Sequence, residues 1–189
     1  MQKPPLILAS TSPYRRELLE RLRLPFKTLK PDVDESPLPD EKPQETALRL
    51  ALAKAQKIAS IHPEAVVIGS DQVADLGGLV LGKPHTHSNA TAQLLAMSDQ
   101  MVYFHTAVAV VQAQTRFQRS ALSTVEVKFR KLTPSVIENY LQREKPYDCA
   151  GSAKSEGLGI ALLESIDNDD PTALIGLPLI RTARLLRQA

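Results

Sequence analysis

Apolar and polar positions divide the chain into short elements. Residues 5–10 form an apolar run that reads as a buried strand, and it ends at a cluster of small hydroxyl residues, Ser10, Thr11 and Ser12. Ser12 is a good N-cap and Pro13 suits the first helical position, so a helix is predicted to about Arg23, with Leu18, Leu19 and Leu22 on one stripe. Residues 30–43 are proline-rich and acidic and read as a loop. A second helix is predicted over 44–60, carrying Leu48, Ala51, Leu52, Ala55 and Ile58 inward. Next, "AVVIGSDQVADL" reads as a strand whose apolar half runs into a polar tip. Gly77–Gly78 is a hairpin signal before "LVL". A helix is predicted over 88–98, then two long strands over 101–113 and 117–130. Thr133 caps a further helix with Pro134 at its first position. A loop (150–157), a strand (158–163), an acidic loop (167–170) and a helix from about 177 complete the chain. This is an α/β pattern with a mixed sheet, because the hairpins exclude a purely parallel one.

The 189 residues suffice for one domain, 1–189, or for one domain split into two lobes around a cleft. Apolar content of 43%, charged content of 23% and a net charge of +2 describe an ordinary soluble protein, with no basic stripe for nucleic acid. The arginines at 15, 16, 21 and 23 alternate with Glu17 and Glu20, which suits a solvated helix face as well as a binding patch. The single cysteine, Cys149, excludes an internal disulfide and reads as a small buried hydrophobe. The N-terminal "MQKPPLILAS" is too short and too proline-broken for a signal peptide, and no apolar run reaches the length of a membrane span. A soluble, cytoplasmic protein without nucleic-acid or membrane partners is expected.

Candidate chemistry begins at "LILASTSPYRR". A strand–turn–helix presents backbone N–H groups and hydroxyls to an anion, and Arg15 can add a guanidinium fork; an ordinary capped helix has the same pattern. Tyr14 is either a packing aromatic or a platform for a base. "GGLVLGKP" begins like a phosphate-binding P-loop, but Pro84 stands where a metal-binding hydroxyl is needed and the segment reads as a hairpin. Lys83, between Gly and Pro, still reads as a fixed point charge. Asp32, Asp34, Glu35 and Asp71 are the metal candidates, and an oxygen-only set favours Mg²⁺ or Mn²⁺. Asp71 leads them, because it follows "VVIGS" at the expected end of a buried strand. The acidic "DNDDP" reads as a solvated turn.

Taken in order, "LASTSPYRRELL", "VDES", "ALAKA", "IGSDQV", "GKP", "CAGSAKSEGLG" and "LIGLPL" resemble the Maf family of nucleotide pyrophosphatases over nearly the whole chain. The resemblance implies an elongated mixed β-sheet with flanking helices and two lobes around a central cleft, of the Maf/ITPase-like kind. It implies a metal-dependent cut between the α- and β-phosphates of a nucleotide, and it points to a homodimer. Where many members read S-x-S-P-R-R, this chain has Tyr14 in place of the first arginine and Arg15 in place of the second. Tyr14, Gln72 and Glu156 together resemble the subfamily that hydrolyses 7-methyl-GTP. A cationic base gains about 0.5–2 kcal/mol over an aromatic face. Guanine's two adjacent donors also match a carboxylate such as Glu156.

On this reading Asp71 is the general base and Glu35 holds the metal, with Asp34 an alternative. Ser10, Arg15, Lys54 and Lys83 bind the triphosphate, Lys54 being favoured by the "ALAKA" match. The rival readings are a pyrophosphatase for dTTP, UTP or GTP, and a non-catalytic nucleotide-binding regulator.

Overall fold

A computed structural model describes residues 4–36 and 38–189 of the chain. Residues 1–3, and with them the start of the N-terminal signal-peptide reading, lie outside the described residues. So does Pro37 of the predicted 30–43 loop. The chain divides into two compact units. The first is Met1–Gln72, Thr106–Ser123 and Asp170–Ala189; the second is Val73–His105 and Thr124–Asp169.

In the first unit, β1 (Leu6–Ala9) leads into α1 (Pro13–Glu20), capped by Ser12, whose side chain accepts from the Arg15 N–H at 3.4 Å. The helix stops three residues short of the expected Arg23. Pro25 disfavours helical backbone just before it, and Arg23 turns away with φ 53°. β2 (Lys27–Leu29) follows, a strand too short for its alternation to be seen in the sequence. After the loop comes α2 (Pro43–Ala59). Its buried face differs from the expected one. Ala51, Ala55 and Ile58 are buried, but Leu48 and Leu52 are only half-buried, while Leu50 and Lys54 lie inside. β3 (Val66–Leu76) then runs antiparallel to β4 (Leu79–Leu81) across the predicted Gly77–Gly78 turn, where φ values of 60° and 94° require glycine.

The second unit contains β4, α3 (His87–Met97) and α4 (Pro134–Glu144), capped by Thr133 as expected. β3, β5 (Met101–Gln112) and β6 (Phe117–Phe129) pass from one unit to the other along the chain. The strand expected at 158–163 lies later, at β7 (Leu163–Asp167), antiparallel to β6. Residues 158–162 form a 3₁₀ turn instead, because the Gly157 and Gly159 N–H groups fold back onto the Lys154 carbonyl. α5 (Leu179–Leu186) returns the chain to the first unit.

The strand order is β2-β1-β3-β5-β6-β7, with β4 on β3. β1 is parallel to both β2 and β3, so the seven-stranded sheet is mixed, as expected. The first unit buries Leu8, Leu18, Ile68, Val108, Leu177 and Leu185 in one cluster. The second buries Leu94, Met97, Phe104, Ile137, Leu141 and Leu162. Cys149 is half-buried rather than a core residue. No described helix is long and apolar enough to cross a membrane.

Candidate active site

Pleat alternation along β3 builds the centre of the site. Gly69 and Asp71 share one face of the strand; Ser70 and Gln72 share the other. The Gly69 face meets the backbone of α2, where an added Cβ would come within 2.2 Å of the Ala51 carbonyl oxygen. Two residues further on, the same face brings Asp71 to Lys54 of that helix. The Lys54 Nζ donates to Asp71 Oδ1 at 2.6 Å and lies 2.8 Å from Glu35 Oε1. Lys54 and Asp71 are both buried, whereas the Glu35 side chain is 60% exposed at the open end of the cluster. Two carboxylates from distant parts of the sequence therefore converge on one ammonium.

Asp71 does not end β3, as the sequence suggested; the strand continues past it into the hairpin with β4. What ends there is the parallel ladder with β1, whose last pair is Ala9 with Gly69. Ser10 follows Ala9 directly, and Asp71 lies two residues beyond Gly69. Ser10 is buried, and its Oγ accepts from the Ser12 N–H at 3.1 Å, which leaves its proton for a further acceptor.

The opposite face of β3 meets the segment before α5. Ser70 Oγ lies 2.7 Å from the Ala107 oxygen and 3.0 Å from that of Gly176. The Gly176 carbonyl also accepts from Arg15 Nε at 2.9 Å. This anchors a half-buried guanidinium at the start of α1. Burial lowers the Arg15 pKa from its usual value, while the charges of Asp71 and Glu35 raise it. An arginine guanidinium stays cationic in proteins. The Gln72 amide nitrogen has three protein acceptors, Thr106 Oγ1 at 2.9 Å and the Ala173 and Leu174 carbonyls at 3.0 and 2.9 Å. Those bonds fix the amide and turn its carbonyl oxygen the other way.

The acidic turn 167–171 does more than face solvent. Asp170 is fully buried, and its carboxylate accepts from the Ile180 and Arg181 N–H groups at 2.9 and 3.3 Å, serving as a remote anion at the N-terminus of α5. This network of Asp170, Thr172 and Gly176 holds the carbonyls that orient Arg15, Ser70 and Gln72. Local sequence does not mark it, apart from the glycine of "LIGLPL", whose φ is 123°.

Among the other metal candidates, Asp34 is engaged by Ser36 in its own turn, whose side chain first and then its N–H, at 2.9 Å, lower the Asp34 pKa. Asp32 lies 3.9 Å from Lys30 on the surface. Among the described residues of this acidic loop, Glu35 is the one that joins Asp71 at Lys54. Their donors are hard oxygens, which fit Mg²⁺ or Mn²⁺. Among the described residues no group of three or more His, Cys, Asp or Glu could hold a metal. The other ligands of such an ion would therefore be water and phosphate oxygens, the usual arrangement for Mg²⁺.

The loop carrying Glu35 is tied to α2 by Arg49. Its Nη2 donates to the Ser36 carbonyl at 3.2 Å and to Glu41 Oε2 at 2.7 Å. Arg49 first, then the Thr46 hydroxyl and the Leu38 N–H, hold the Glu41 pKa at about 2, against an ordinary 4.5. A carboxylate depressed in the folded state stabilises it above the unfolded pKa, and loses that effect as pH falls through the folded value. Thermal scans should therefore show stability declining from about pH 4.5 to about pH 2. Glu41→Gln should flatten that decline, and an unchanged slope would exclude the pair as its source.

Tyr14 is half-buried on the first turn of α1. Lys83 and Glu156 are exposed and belong to the second unit. On either side of Lys83, the Gly82 carbonyl accepts from Gln93 Nε2 at 3.0 Å, and that of Pro84 from Asn89 Nδ2 at 3.0 Å. Glu156 sits on a tight turn after α4.

These features define an α/β protein with a lysine-bridged pair of carboxylates beside a buried strand and an anchored arginine at a helix start. The chain belongs to the Maf family, since the family model described as Maf-like protein matches residues 5–189. It is 67% identical over 185 residues to the 7-methyl-GTP pyrophosphatase of a Polaromonas species, covering 98% of this chain and 84% of the relative. It is 61% identical to the protein of that name from Albidiferax ferrireducens, covering 97% and 92%. A HAM1 protein from Coxiella burnetii shares the fold at a TM-score of 0.55 and 15% identity, covering 98% of this chain and all of that one.

Proposed function

We propose that the whole chain acts as one nucleoside triphosphate pyrophosphatase domain, hydrolysing 7-methyl-GTP to 7-methyl-GMP and pyrophosphate. The convergence of Asp71 and Glu35 on Lys54 carries this reading, and the relatives' names give it the substrate. Water attacks the α-phosphorus, and the bond to the bridging oxygen of the β-phosphate breaks. Asp71 orients the water and accepts its proton. Lys54, Arg15 and Ser10 stabilise charge on the phosphates, with Lys83 as a further cation for the departing pyrophosphate. Glu35, with Asp71, would hold a Mg²⁺ or Mn²⁺ ion, which would supply Lewis-acid polarisation when bound. The single cysteine suits a reducing cytoplasm. A cytoplasmic homodimer acting on free nucleotides is the expected setting.

Base choice rests on Tyr14, Gln72 and Glu156. N7 methylation makes guanine cationic, which favours an aromatic face and a carboxylate and disfavours an arginine. The test is pyrophosphate release with Mg²⁺ from 7-methyl-GTP, GTP, UTP and dTTP. A preference for 7-methyl-GTP is expected, and Tyr14→Arg should reduce its kcat/KM relative to GTP by about tenfold or more. Faster turnover of UTP or dTTP would overturn the base assignment and leave the chemistry intact. Binding without any turnover would make the protein a nucleotide sensor.

A further inference from the structure

The turn that carries Glu156 is clamped to the end of α4 by one carboxylate. Glu144, the last residue of that helix, accepts from Lys154 Nζ at 2.9 Å through Oε1 and from the Leu158 N–H at 2.7 Å through Oε2. Its two oxygens thus hold residues on either side of Glu156. The Glu144 side chain is only 14% exposed and Lys154 is 27% exposed, so their ion pair is not a loose surface pair. The Leu158 N–H, and after it Lys154, draw the Glu144 pKa below the ordinary carboxylate range. One turn earlier on α4, the Tyr140 hydroxyl accepts from the Lys154 N–H at 3.0 Å and donates to the Ser152 carbonyl at 3.2 Å.

The glycines of the turn are fitted to this clamp. A Cβ on Gly157 would come within 2.7 Å of Glu144 Oε2 and 2.8 Å of Oε1. One on Gly159 would come within 2.5 Å of the Lys154 carbonyl oxygen. The Gly157 and Gly159 N–H groups both donate to that oxygen, at 3.1 and 3.0 Å. A carboxylate that reads two adjacent donors on a base must be held still, because orientation lost before binding must be regained on binding.

We infer that Glu144, acting with Lys154 through the 154–159 turn, is a positioning residue that holds Glu156 for recognition of the guanine edge. The inference rests on the proposed role of Glu156 in choosing the base.

The test compares kcat and KM for 7-methyl-GTP and UTP in the wild type, Glu144→Ala, Gly157→Ala and Glu156→Gln, with melting temperatures recorded. Gly157→Ala is the gentler variant, since the atoms it displaces are the tip of a flexible side chain. Glu156→Gln should lower the preference for 7-methyl-GTP. Glu144→Ala and Gly157→Ala should lower it about tenfold through a raised KM, with kcat held within about twofold. If the clamp variants keep the preference while Glu156→Gln loses it, the inference fails and the reading of Glu156 stands. A fall in kcat that tracks a lowered melting temperature, with the preference unchanged, would show a structural role only and also overturns it. If Glu156→Gln itself keeps the preference, the reading of Glu156 falls and the inference with it.

Discussion

Asp71→Asn is expected to reduce pyrophosphate release by about 10²- to 10⁴-fold, the usual contribution of a positioned general base. The amide matches the carboxylate in size and still accepts a hydrogen bond from Lys54 Nζ, now 2.6 Å from Asp71 Oδ1, but it cannot take the proton of the attacking water. Lys54 also keeps its pairing with Glu35 at 2.8 Å, so the helix and the cation proposed to bind phosphate remain in place. Nucleotide affinity should therefore change far less than turnover. Titration of 7-methyl-GTP against the inactive variant measures the first quantity and a pyrophosphate assay the second. Turnover retained within a fewfold would remove Asp71 from the chemistry. Equal binding by both proteins without turnover in either would mark a sensor.

Gly69→Ala should cause the largest loss of stability. The added methyl would lie 2.2 Å from the Ala51 carbonyl oxygen and 2.7 Å from the Ala55 nitrogen. Both are backbone atoms of α2, so no rotamer change relieves the overlap and the helix must move away from β3. Overpacking of this kind costs about 1–3 kcal/mol or more. At about 2–4 °C per kcal/mol for a chain of this size, the melting temperature should fall by roughly 5–10 °C. Activity should fall further than stability alone requires, because Lys54 rides on the same helix and meets Asp71 two residues along the same strand. A melting temperature within a degree of wild type would mean that the close approach of α2 to β3 is not needed.

The melting temperature and the assay would thus test the same structural point from two sides. Gly69 looks like any small residue in a strand until the helix above it is placed, whereas its neighbour Asp71 stands out by residue type. That contrast runs through the molecule. The caps Ser12 and Thr133, the prolines after them and the Gly77–Gly78 turn were readable because each acts on backbone within four residues of itself. The mixed character of the sheet followed from the same local signals. The candidate site residues were nominated by type and motif alone, and the fold brings Glu35, Lys54 and Asp71 together.

The misplaced site features depended on partners outside their own short segments. Lys54 was not expected on the buried face of α2, because burying an ammonium is favourable only with Glu35 and Asp71 beside it. Asp170 resembled a solvated acid because its four residue neighbours are polar or turn-forming; its partners are Thr172 and N–H groups ten and eleven positions on. β2 has too few residues to show a period, and the 158–162 segment carries apolar residues that a strand and a 3₁₀ turn accept equally. Residue types and short-range spacing sufficed for caps, turns, element classes and the inventory of reactive groups, whose energetics are local. Which carboxylate meets which cation, and which glycine must stay a glycine, was decided by packing, because charge pairing and steric exclusion act between segments that only the folded chain brings within a few ångströms.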